Sequence, residues 1–141
     1  MTGDADPVPP AATRDVVVRR AGAGQARSLR AGRGEALGVI GPDDGSSLDI
    51  HVNALRGDAG SGPYHRHDRS DNFFLVLDGR VRMRIAGADY DLQPGDAVHI
   101  PRGVPHAVAP AAAAPVRLIE IYAPAEPDFV DVADPQQQEE T

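Results

Sequence analysis

The sequence has no cysteine and no lysine, and only 4% of its 141 residues are aromatic. Without cysteine there is no disulfide framework, no thiolate nucleophile and no sulfur-ligated zinc, so any metal must be held by nitrogen and oxygen. No apolar run approaches the ~20 residues that a membrane helix needs. Residues 1–15 are acidic and proline-rich with no apolar stretch, and match neither a secretory signal nor a transit peptide. A cytoplasmic protein with no membrane partner is the expectation. Positive charge is also scarce: 14 arginines against 21 carboxylates give a formal charge of −7, and the arginines are interleaved with acids. Binding nucleic acid needs clustered cations to neutralise phosphates. A small molecule is therefore the expected partner.

What is present is a run of short apolar segments divided by glycine and proline. The length suits one domain, expected over 16–124, with a loosely docked arm at 1–15 and an acidic, glutamine-rich tail at 125–141. Val16 to Val18 is the first expected strand, followed by a short one near Ser28 to Arg30 and a better one over Ala36 to Ile40. In Ser47 to Leu55 the residues Leu48, Ile50, Val52 and Ala54 alternate with Asp49, His51 and Asn53, the pattern of a half-polar strand. Asn72 to Leu77, a turn at Asp78-Gly79, and Val81, Met83 and Ile85 form a hairpin pattern. Tyr90 to Leu92, Ala97 to Ile100, His106 to Ala109 and Val116 to Tyr122 complete the set. No segment sustains a 3.6-residue period, so the fold class is all-β, with strands at the spacing of a sandwich or barrel.

The chemistry concentrates in three of the five histidines. In an extended segment alternate side chains share a face, so His65 and His67 project together and can hold one cation. A third nitrogen is offered by His106, at the end of the run Gly95, Pro101, Gly103, Pro105. Three neutral imidazoles suit zinc, iron(II), nickel, copper or manganese.

Gly95, Pro101, Gly103 and His106 resemble the second motif of the cupin superfamily, G-x5-P-x-G-x2-H. His65, His67 and Gly79 resemble the first, in which H-x-H is followed after three or four residues by glutamate and, six residues on, by glycine. The resemblance spans roughly residues 47–122 and implies a double-stranded β-helix, a jelly-roll barrel with one divalent metal in its mouth. Asn72 stands where that family carries its glutamate ligand, and Pro110 where the second motif ends in asparagine. Asp71 fits the shorter spacing and is, with Asn72, a candidate catalytic group or ligand, but a one-residue slip turns a strand side chain to the other face unless a bulge intervenes. Asn72 is either a fourth, neutral ligand or a hydrogen-bonding group beside the metal.

His51 lies on the polar face of its strand, where it is a structural histidine or, if that face is internal, a fourth nitrogen or acid/base. His99 is expected at a packing or surface position. Tyr64, Tyr90 and Tyr122 line a pocket or pack the core. Arg66, Arg69, Arg80, Arg82, Arg84 and Arg102 receive an anion or make a solvated strand face. The resemblance implies either a metal-dependent enzyme, a dioxygenase or a Lewis-acid cyclase or isomerase acting on an enolisable diketone- or polyketide-like substrate, or a non-catalytic ligand binder. It also implies a homodimer, for which Val16 to Val18 are candidates for exchange.

Overall fold

The computed structural model describes residues 15–135. Eleven strands form: β1 (Gln25–Ser28), β2 (Gly34–Ile40), β3 (Asp49–Leu55), β4 (His65–Arg66), β5 (Asp71–Asp78), β6 (Val81–Ile85), β7 (Ala88–Leu92), β8 (Ala97–Ile100), β9 (His106–Pro110), β10 (Val116–Ala123) and β11 (Val130–Asp131). They pair antiparallel in two sheets, one in the order β1-β2-β3-β10-β5-β8 and the other β11-β4-β9-β6-β7. Consecutive strands often lie in different sheets, so the chain wraps back and forth as a jelly roll. No helix among the described residues is long and apolar enough to cross a membrane.

The core is the apolar layer between the sheets. Val76, Val81, Met83, Ile100, Val116 and Leu118 are all essentially inaccessible, and each occupies one parity of its strand, as a period of two demands. Two motif glycines are required by backbone geometry. Gly79 turns β5 into β6 at φ +82°, and a Cβ there would stand 2.5 Å from the Pro115 carbonyl oxygen. Gly103 has φ +85°, and its N–H donates to the His67 carbonyl at 2.7 Å, tying the turn before His106 to the segment that carries His67.

The structure changes two expectations and decides a further point that the sequence left open, the inward face of β3. Val16 and Val18 are exposed and belong to no strand. Their β propensity finds no partner edge, because residues 25–28 hold the end of the sheet beside β2. The alternating β3 points its polar side inward: His51 and Asn53 are buried, while Ile50, Val52 and Ala54 look outward. On that outer face Val52 lies beside Ile119, and Ile119 beside Leu75. Both faces of this sheet therefore carry apolar residues, and alternation alone does not say which is inside.

The second change is at the C-terminal end. Residues 125–135, expected as tail, are instead built into the molecule: β11 pairs with β4, and the Val132 N–H donates to the Tyr64 carbonyl. The Asp134 carboxylate accepts from Arg84 at 3.1 Å. Composition suggests a tail because the segment is acidic and lacks a long apolar run; its contacts are backbone pairing and charge pairing, which composition does not register. Residues 1–14 of the expected arm and 136–141 of the tail lie outside the described residues.

Candidate metal centre

His65 lies directly opposite His106 in the β4–β9 pairing. His67 follows two residues after His65, on the same face. The three rings have centroids 4.5, 4.8 and 5.3 Å apart, and one nitrogen from each falls within 4.8 Å of the others. Each ring donates its Nδ1–H to a backbone carbonyl: His65 to Pro63 at 2.8 Å, His67 to Asp128 at 2.6 Å, and His106 to Val104 at 3.0 Å. Those bonds fix the tautomer and leave each Nε2 with a free lone pair. The Nε2 atoms of His67 and His106 are buried without a partner. Orphaned acceptors of this kind, converging from three directions, fit a divalent cation that takes imidazole nitrogen.

Electrostatics favours the ligating form. Burial pushes the His106 pKa from 6.5 down to about 4 and lowers that of His65 as well, because a charged imidazole is poorly solvated there and faces like neighbours. His106 is thus neutral when folded but takes a proton below pH 6.5 when unfolded. As pH falls from 6.5 toward 4 the unfolded chain binds more protons, so the stability of the metal-free protein should drop, by roughly 3 kcal/mol from this residue. Chemical denaturation at pH 7 and pH 4.5 after chelation measures it, and equal midpoints would refute it.

Beside the histidines opens a cavity of about 230 Å³, lined by His65, Arg33, Asn53, Leu55, Phe74, Leu118, Glu120, Tyr122 and Phe129, and by the exposed Arg27 and Arg30. Phe129, from the segment expected as tail, packs over the rings of His65 and His67 at 5.7 and 4.7 Å. The carboxylate of Asp128 accepts from the backbone N–H groups of Asp68 and Arg69, both at 2.9 Å, which pins this segment beside His67.

The residue that sequence reasoning missed is Glu120. It is buried on the inner face of β10, accepting from Asn53 Nδ2 at 2.7 Å and Asn72 Nδ2 at 3.2 Å. Tyr122 stands close to it, and burial together with that carboxylate pushes the phenol well above its usual pKa. Among the described residues no arginine is bonded to Glu120. The signal was available: Val116, Leu118, Glu120 and Tyr122 share one parity, so a carboxylate stands on the apolar face of a strand.

The other expected residues separate. Asn72 is buried; its amide nitrogen is given to Glu120 and the Ile121 carbonyl, and its Oδ1 has no partner. Asp71 is placed outside the site, correcting its expected catalytic role: the β5–β8 register runs without a bulge, so its side chain turns outward. There it accepts from the backbone N–H and Nε of Arg102 and stands 3.2 Å from His99 Nε2, and the Arg102 bonds hold its carboxyl below the usual range. His99 stacks on Phe73 at 4.6 Å, on the surface as expected. His51 does not join the histidine group; its Nε2 lies 2.7 Å from Asp49 Oδ1. Arg82 and Arg84 pair with Asp91 and Asp89, as a solvated strand face would.

Comparisons with known proteins agree with this architecture. A family model described as a cupin domain matches residues 54–122. No curated protein matches. Among solved structures, the polyketide cyclase RemF from Streptomyces resistomycificus is 23% identical, with 90% of this chain and 93% of that one covered and a TM-score of 0.71. KdgF from a Halomonas species is 18% identical over 79% of this chain and 96% of that one, with a TM-score of 0.68. A sugar phosphate isomerase from Silicibacter pomeroyi is 22% identical over 64% and 59% of the two chains, with a TM-score of 0.57. At these identities the likeness is one of fold.

Proposed function

Since the chain belongs to the cupin superfamily, we propose that it is a metal-dependent enzyme acting on an enolisable carbonyl compound, in the manner of a cyclase or isomerase. His65, His67 and His106 would hold the cation, whose chemistry there is that of a Lewis acid: positive charge set against a developing oxyanion. The chain's own groups supply the rest. Leu55, Phe74, Leu118 and Phe129 give the cavity apolar walls that exclude water and strengthen every charge interaction inside it. The exposed Arg27 and Arg30 favour a substrate bearing acidic hydroxyl or carboxyl groups.

The observation that carries this reading is Glu120. A carboxylate buried without a bonded cation is costly, and a binder of apolar ligands has no use for one beside three histidines. In a proton-transfer enzyme it is the required group. The size of the cavity and the kinship in fold with a polyketide cyclase support the same class. The test is metal analysis of protein purified without added metal, followed by titration with a β-diketone and a polyphenol. Zinc with binding and turnover supports the proposal. Iron with oxygen consumption would replace it with a dioxygenase, and failure to bind or turn over any such compound would leave a non-catalytic binder.

A further inference from the structure

We infer that Glu120 is the group that takes and returns the substrate's proton. The assignment rests on the carbonyl-directed reading above and deepens it. In the β3–β10 pairing Glu120 stands directly opposite His51, and Tyr122 opposite Asp49. All four side chains share the inner face of the sheet, where directly opposed residues have Cβ atoms ~4.5–5.5 Å apart. The Tyr122 ring meets that of His51 edge-on at 6.1 Å, and His51 Nε2 reaches Asp49 at 2.7 Å.

Glu120 and Tyr122 line the cavity together with His65, so the carboxylate faces the space beside the histidines.

The step balances without a co-reactant. The C–H bond beside the carbonyl breaks, its proton moves to a Glu120 oxygen, and the electron pair remains on the substrate as the enolate. Return of a proton to the same or another carbon restores the carboxylate. Asn53 and Asn72 each donate to a different Glu120 oxygen, and so aim the group. Glu120 is the catalytic residue; Asn53 and Asn72 act through it.

The experiment is deuterium uptake by hydroxyacetone in D2O, followed by NMR with the zinc-loaded full chain. Wild type should place deuterium at the carbons flanking the carbonyl. Glu120→Gln, which keeps the shape and most of the hydrogen bonding, should lower the rate by ~10²–10⁴-fold with zinc content and melting temperature near wild type. If that variant does not fold, Glu120→Asp keeps the charge and withdraws it by one methylene, and should also slow uptake. Uptake that survives Glu120→Gln or Glu120→Asp at the wild-type rate overturns the assignment alone. No uptake by wild type overturns both the assignment and the carbonyl-directed reading beneath it.

Discussion

His67→Ala is expected to yield a folded protein without stoichiometric metal. The ring is 2% exposed and lies among His65, His106, Tyr122 and Phe129, so its loss leaves two imidazoles facing a gap. Structural zinc sites gain ~10–16 kcal/mol from about four ligands, which makes one ligand worth on the order of 3 kcal/mol, roughly a hundredfold in affinity. In a site whose firm protein ligands are three, that loss should take occupancy below stoichiometry in a purified sample. The cost in stability is smaller and comes from lost packing, ~1–3 kcal/mol. Metal analysis with a parallel thermal melt reads both. Full occupancy in the variant would refute the site; global unfolding would show that the histidines hold the barrel together before they hold an ion.

Ending the chain after Pro124 is expected to cost more than removal of a tail should. It takes away the Asp128 carbonyl that receives His67 Nδ1–H, the Asp128 carboxylate that receives two backbone N–H groups, the aromatic cover from Phe129, the β11–β4 pairing and the Arg84–Asp134 ion pair. Loss of a group that orients a metal-bound histidine lowers metal affinity by ~10–100-fold. The newly unpaired backbone groups at Asp68 and Arg69 can turn to water, so the effect on stability is moderate, about 1–3 kcal/mol. A zinc titration of the truncated chain against the full one measures it. Equal affinity would return residues 125–135 to the status of an appendage.

The two predictions differ in where their warrant first appears. The histidines are legible in the linear order of residues: His65 and His67 are two apart, so a strand must put them on one face, and His106 follows a turn that only Gly103 closes without backbone strain. The docking of Asp128 is not legible. It is a contact 61 residues away in the chain, made through a main-chain carbonyl that every residue type possesses.

The same divide runs through the rest of the molecule. The sequence by itself determined the all-β class, the turns, the three nitrogens and the absence of a carboxylate at Asn72, because these depend on residue identity and on spacing along one strand. Only the tertiary structure decided that the polar side of β3 faces inward, that Asp71 faces outward, and that Glu120 is held between Asn53 and Asn72. Each of those outcomes depends on which strands lie side by side and in what register. A strand's period of two divides its residues into two faces, but the label of inside or outside comes from neighbours far away in the chain. Here the outer face of the larger sheet is itself apolar, at Ile50, Val52, Ile119 and Leu75, so hydropathy offered no way to choose. The barrel resolves the ambiguity through register: β3, β10 and β5 lie side by side and bring Asn53 and Asn72 to the inside, where both donate to Glu120.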